Sequence, residues 1–358
     1  MIHAAAQAQH SAEPHWRESA PVFNTRFCET FGVELPIVSA GMGSVALAKL
    51  AAAVSEAGGL GTIALVGLTI DDSRAEIASA RAITQKPLAV NLLVPFLRPG
   101  ILDALAHESI SAVTLFWGDP EDHIPQCKRR GLRVIWQCGS AAEALRAKRA
   151  GADAIIAQGF EAGGHVRGIV TTVALVPEIR DAIGDLPLLA AGGLADGRGL
   201  AAALALGADG AVFGTRFLAS EECAAHPDYK QRVLRAHADE TLHTEVYDVG
   251  WPNAPHRVLR TSLVEEWERA GRPEPGRRPR EGEQSARRPI GVSEFPLANY
   301  SVSPPTDSIE GDVGGLAFYA GQSVSLVREI KPAALIVREI ADEARRTIVE
   351  RLGSMVRS

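Results

Sequence analysis

The chain has 358 residues, 46% of them hydrophobic and 22% charged, with a formal net charge of −6. That length and apolar share allow one large domain or two small ones with a substantial core. The absence of a large basic block argues against a nucleic-acid partner. No run approaches the roughly 18 consecutive apolar residues of a membrane span. Residues 1–20 lack the basic start and apolar stretch of a signal peptide. A cytoplasmic protein with no membrane partner is therefore expected.

Residues 1–30 are expected to be an N-terminal tail, since residues 1–20 carry small and polar side chains without period. From residue 36 onward, short apolar runs alternate with alanine-rich amphipathic segments. Strands are expected at 36–40, 60–66, 87–92, 112–117, 132–137, 154–157, 187–191 and 210–213. Helices are expected near 45–57, 71–83, 100–108, 121–130, 141–150, 172–182 and 197–206. The strands are apolar on both faces, as a parallel sheet covered on both sides requires. Eight such units in succession predict an α/β fold, a (β/α)8 TIM barrel over residues 31–218. A doubly wound open sheet is the alternative. Its GxGxxG turn is matched only partly by Gly41-Met42-Gly43-Ser44-Val45-Ala46.

Two helix starts carry their own signals. Ser140 precedes Ala141-Ala142-Glu143 in the pattern of a capping box, with Gly151 at the far end. Asp196 caps the helix that Gly207 ends.

After residue 218 the rhythm changes. Residues 219–321 are too long for an ordinary strand-to-helix loop and are expected to form an excursion covering one end of the barrel. Within it, 271–289 (GRPEPGRRPREGEQSARRP) reads as a solvated loop. Residues 322–358 are expected to pack C-terminal helices on the barrel, two of them flanking Lys331-Pro332. The four cysteines, Cys28, Cys127, Cys138 and Cys223, form no CxxC pair and read as free thiols. A catalytic Cys138 at a strand end is the minor alternative.

In a barrel of this kind the chemistry sits at the carboxyl ends of the strands. There lie Gly41 and Met42 after strand 1, Asn91 on strand 3, Asp119 after strand 4 and Gln137 on strand 5. Strand 6 leads into Gln158-Gly159-Phe160-Glu161-Ala162-Gly163-Gly164-His165. Glycines let a backbone approach a ligand closely, and histidine exchanges protons near neutral pH. His165 is thus the candidate base. Gly192-Gly193 after strand 7 and Gly214-Thr215 after strand 8 fit a phosphate site built from backbone N–H groups. Asn91 suits hydrogen bonding to a polar heterocycle. Arg167 reads as a surface arginine or a phosphate ligand. No HxxxH or HxH spacing suggests a metal site.

Several of these segments resemble the nitronate monooxygenase family, formerly the 2-nitropropane dioxygenases: PIVSAGMG (36–43), AVNL (89–92), QGFEAGGH (158–165), LLAAGGLADG (188–197), GTRFLASEE (214–222) and YAGQS (319–323). The barrel motifs are also similar to flavin-type enoyl-acyl-carrier-protein reductases. The resemblance implies FMN at the barrel mouth: Asn91, Gln158, Gly163, Gly193, Gly214 and Thr215 match the family's flavin-contacting positions, Met42 would lie close to the flavin, and His165 matches the catalytic base. Gly41, Gly164 and Gly192, in the same loops, are expected to add cofactor contacts. It implies a small-molecule substrate and oxygen as reaction partners. The expected reaction is oxidation of alkyl nitronates, and of nitroalkanes after loss of their α-proton, to a carbonyl compound and nitrite. A reductase of the enoyl-acyl-carrier-protein or quinone type, using NAD(P)H, is the alternative. Two departures stand out. Val212 occupies a position where the family often has glutamine, and the run TEVYDVGWPNAPHRVLR (244–260) belongs to an unusual excursion. Residues 314–325 are expected to bring Tyr319 or Gln322 back over the site.

Overall fold

The computed structural model describes residues 23–290 and 293–356. The tail expected over 1–20 lies outside them. Within the span taken as tail, the chain forms helix α1 (Arg26–Phe31), capped by the Thr25 hydroxyl accepting from the Cys28 N–H and closed by Gly32 at φ 68°. There follow β1 (Ile37–Ser39), α2 (Ala48–Glu56), β2 (Gly61–Ala64), α3 (Ile70–Arg81), β3 (Leu88–Leu93) and α4 (Ile101–Leu105). Next come β4 (Ala112–Phe116), α5 (Pro120–Lys128), β5 (Val134–Cys138), α6 (Ala141–Arg149) and β6 (Ala154–Gln158). The two-residue β7 (Gly164–His165) precedes α7 (Thr172–Ile183), β8 (Leu188–Ala191), α8 (Gly197–Ala205), β9 (Gly210–Phe213) and α9 (Thr215–Leu218).

Eight parallel strands pair in the order β1-β9-β8-β6-β5-β4-β3-β2, and the parallel bridge Val38–Leu60 joins the two ends. The fold is a (β/α)8 barrel. Alternate side chains along each strand go to opposite faces, and the core divides accordingly. Ile37, Ile63, Val90, Leu115, Trp136 and Ile155 pack outward beneath the helices. Val38, Leu60, Ala89, Ile135, Ile156 and Leu189 fill the interior. Phe27 and Phe31 of α1 join this interior cluster with ring centroids 4.9 Å apart, so α1 plugs the amino-terminal end of the barrel. The caps stand where the sequence places them. Ser140 Oγ accepts from the Glu143 N–H, and Asp196 accepts from the Arg198 and Gly199 N–H groups.

The excursion holds α10 (Pro227–Arg235), β10 (Thr241–Thr244), β11 (His256–Leu259), α11 (Ser262–Arg269), β12 (Gln284–Ile290), β13 (Ser293–Ala298) and β14 (Glu310–Gly311). Antiparallel β10 and β11 extend to β7, with His256 opposite His165. This sheet fastens the excursion over the carboxyl-terminal mouth. The loop expected over 271–289 is only partly a loop: β12 is the middle strand of a three-stranded sheet with β13 and β14. Its apolar content is low, so periodicity does not reveal it. Cross-strand charge supports it instead, with Arg287 2.7 Å from Glu310 and 3.5 Å from Glu294.

The expectation of two helices after residue 321 also needs correction. Gln322–Leu326 is a short 3-10 turn, and only α12 (Ala333–Arg346) is a full helix, with Pro332 as its N-cap. Wider turns continue it over Thr347–Leu352. α12 lies against α8 so closely that a Cβ on Gly197 would stand 2.3 Å from the Ala344 nitrogen. Among the described residues no helix is long and apolar enough to cross a membrane, and all four cysteines are free and buried.

Candidate active site

The strand alternation that packs Ala89, Ile135 and Ile156 inward also aims the residues two positions further on into the barrel. These are Asn91, Gln137 and Gln158. With Ala40, Ala191 and Val212 they form the floor of a cavity of about 660 Å3 at the carboxyl-terminal mouth. Three amide side chains on an otherwise apolar floor suit a polar heterocycle. Asn91 stands directly over Gly41, where any Cβ would approach it to 2.3 Å. Gln158 donates from Nε2 to the His165 carbonyl at 2.9 Å, while its Oε1 is buried without a partner. A buried acceptor left unsatisfied is costly, and a ligand donor reaching this floor would satisfy it.

The rim carries the glycine loops. Gly192 and Gly193 adopt φ of 103° and 73°, which favours glycine at both positions. The adjoining N-terminus of α8 is already taken. Asp196 caps it, and Glu343 Oε2 accepts from the Gly197 N–H at 2.9 Å. The first turn of α9 has no such occupant: Gly214 sits at its N-cap with no side-chain cap. Thr215 Oγ1 accepts from the Gly321 N–H at 3.0 Å, tying this turn to the strap 319–323. Arg216 is buried and reaches the Ala219 and Glu329 carbonyls at 3.1 and 2.6 Å, so it braces the backbone.

The loop after β6 is shaped from beneath. The Glu161 carboxylate accepts from the Thr172 N–H at 2.9 Å and so holds the start of α7. Gly163 is required by the strap, because a Cβ there would stand 2.4 Å from the Gly321 nitrogen. Gly164 has φ 75°. Together they deliver His165 to the cavity wall. Its ring stacks on Trp251 with centroids 4.1 Å apart and planes at 28°, and meets Trp117 edge-on at 5.9 Å. Tyr319 and His256 stand 5.5 and 5.4 Å away. Burial pushes the His165 pKa down to about 3, and His256 adds to the effect. The ring is therefore neutral at pH 7, and its Nε2 is buried with no partner. His256 Nε2 accepts from the Tyr247 N–H, so its Nδ1 carries the hydrogen facing the Ala254 carbonyl at 2.8 Å.

Gly41, Met42, Asn91, Gln158, Gly163, Gly164, His165, Gly192, Gly193, Gly214 and Thr215 all line this one cavity. Tyr319 lines it too, whereas Gln322 uses its N–H on the Glu161 carbonyl. Other candidates fall outside the wall. Asp119 pairs with Arg146 at 2.6 Å on the surface, and Arg167 pairs with Glu143 at 3.0 Å. Cys138 is fully buried and burial raises its thiol pKa well above the usual range, which rules out a ready nucleophile. Gln137, which the sequence places at the active end of β5, completes the amide floor with Asn91 and Gln158. Trp251 and Arg288 reach the cavity from the excursion, where no local sequence signal marks them. Among the described residues no cluster of metal-ligating side chains occurs.

The family model described as nitronate monooxygenase matches residues 24–100 and 99–343. A nitronate monooxygenase of Pseudomonas aeruginosa is 31% identical over 376 aligned positions, covering 89% of this chain and 99% of the relative. A Mycobacterium tuberculosis protein named (3aS,4S,5R,7aS)-5-hydroxy-7a-methyl-1-oxo-octahydro-1H-indene-4-carboxyl-CoA dehydrogenase is 40% identical over 251 residues, 69% of each chain. Among solved structures, FabK from Thermotoga maritima superposes with a TM-score of 0.75 at 34% identity, covering 93% of this chain and 100% of that one. The nitroalkane oxidase from Streptomyces ansochromogenes gives 0.71 at 29% identity, covering 90% and 99%. With the barrel, the amide floor and a match that spans the barrel, the excursion and most of α12, the chain belongs to the nitronate monooxygenase family of flavin-dependent oxidoreductases.

Proposed function

We propose that the cavity binds FMN and that the protein oxidises alkyl nitronates with oxygen to a carbonyl compound and nitrite. The observation that carries this reading is His165: a neutral ring with an unpartnered Nε2, held in the wall of a cavity whose amide floor and glycine rim fit a flavin. Asn91, Gln137 and Gln158 would face the heterocycle. The N–H groups of the Gly192–Gly193 turn and of Gly214–Thr215 would take the phosphate. Bound FMN supplies the redox chemistry, passing electrons from substrate to oxygen. The protein's part is positional and protonic. Trp251 and Trp117 hold the His165 ring and exclude water from it. Its unprotonated nitrogen can accept the α-proton of a neutral nitroalkane, and stacking on Trp251 favours the cation that results. Because burial lowers the ring's pKa so far, that transfer is uphill. The ionised nitronate, which needs no base, is thus the better substrate.

A second reading is favoured by the 40% identity to a protein named as a carboxyl-CoA dehydrogenase and by the likeness to FabK. In it the same cavity moves hydride between a nicotinamide or thioester substrate and the flavin. Anaerobic titration of the FMN-loaded protein separates the two. Loss of the oxidised-flavin absorbance on adding propyl nitronate, but not NADH or NADPH, supports the first, and the reverse supports the second.

A further inference from the structure

Two arginines, the exposed Arg98 and the half-buried Arg288, line the active-site cavity, and the reaction assigned to His165 uses neither. Arg98 follows β3, and Arg288 comes from β12 of the excursion. Among the described residues no aspartate, glutamate or lysine lines the cavity. In a chain of net charge −6 the cavity is therefore lined by positive charge alone.

Arg288 is the more telling of the pair. On the same strand its neighbour Arg287 is satisfied by Glu310 and Glu294. Arg288 has no carboxylate partner among the described residues, and its Nη2 is buried without a hydrogen bond. Burial also lowers its pKa. A buried donor left without a hydrogen bond is costly, and an entering anion would satisfy this one. Arg98 is steadied by the Gly67 carbonyl, 3.4 Å from its Nη2. It enters after β3, four places round the barrel from β8 and hence across the mouth from the Gly192–Gly193 turn. The strand end that carries it is thus opposite the loop assigned to the flavin phosphate.

We propose that Arg288 and Arg98 form a second anion subsite, which holds a carboxylate or phosphate at the end of the substrate remote from the reacting carbon. This rests on the reading of the cavity as the flavin site. It makes the natural substrate an organic molecule with an anionic tail, larger than a simple alkyl nitronate. The planar fork of arginine matches either oxyanion in two-point fashion.

The test is calorimetric titration of the protein, supplemented with excess FMN, by three probes: coenzyme A, glutarate and the neutral diamide of glutarate. At least one anionic probe should bind, more weakly at higher salt, and the diamide should not. Binding by coenzyme A alone marks a phosphate tail, and binding by glutarate marks a carboxylate. Arg288→Gln and Arg98→Gln should each weaken that binding at least tenfold, and Arg288→Lys should restore part of it. Flavin content and melting temperature of each variant report its folding. The proposal is overturned if neither anion binds, if the diamide binds equally well, or if Arg288→Gln binds as wild type does. Turnover is not involved, so failure of nitronate oxidation leaves this result standing, and the converse also holds.

Discussion

The His165 ring lies over Trp251, centroids 4.1 Å apart, so the barrel's candidate base is completed by a residue more than eighty positions further along the chain. β7 and β11 make the contact possible by pairing the loop after β6 with the excursion. This joint accounts for the neutrality of the ring, since the excursion is what withdraws it from water.

The first prediction concerns the proton. Replacing His165 by asparagine keeps a polar group but removes the base. The kcat/KM for nitroethane should fall by roughly a hundredfold or more, the usual scale of general-base catalysis. The value for ethyl nitronate should change much less. Oxygen consumption with each substrate measures both, and equal losses would remove His165 from the base role.

A second prediction follows from the same burial. The His165 pKa is lowered to about 3 and that of His256 to about 4, against 6.5 for the free side chain. Between those values and pH 6.5 the unfolded chain binds protons that the folded chain does not. Stability therefore rises with pH in this window and is lost as pH falls below 6.5. Each histidine contributes a slope of at most about 1.4 kcal/mol per pH unit. Urea unfolding at pH 7, 6, 5 and 4 should show a shallower decline in His165→Asn than in wild type.

A third concerns the strap. At Gly163 a methyl group would meet the Gly321 backbone at 2.4 Å. Gly163→Ala should displace residues 319–323, cost about 1–3 kcal/mol as overpacking does, and move Tyr319 away from His165. Thermal unfolding and activity together read this, and an unchanged melting temperature would contradict it.

The fourth addresses the floor. Gln158→Leu preserves volume but removes the orphaned Oε1 and the bond to the His165 carbonyl. Flavin affinity should drop about tenfold, the worth of roughly one net hydrogen bond. Fluorescence titration with FMN checks it.

Much of the barrel was legible in the sequence because its signal is local. Apolar runs such as Ala154-Ile155-Ile156-Ala157, and helix caps such as Ser140 and Asp196, declare strands and helices without tertiary information. The rim glycines were legible for the same reason. What escaped was set by distant partners. α1 carries no local signal, because the apolar role of Phe27 and Phe31 depends on the barrel interior they plug. β12 reads as loop in the sequence because charge pairs, not alternation, hold it. Trp251 and Arg288 were missed because only the folded excursion brings them to the cavity.

The most direct measurement is anaerobic mixing of the FMN-loaded protein with propyl nitronate, followed by admission of oxygen. Rapid loss of the oxidised-flavin absorbance, its return with oxygen, and release of nitrite are expected. An absorbance untouched by nitronate but bleached by NADH or NADPH would contradict it.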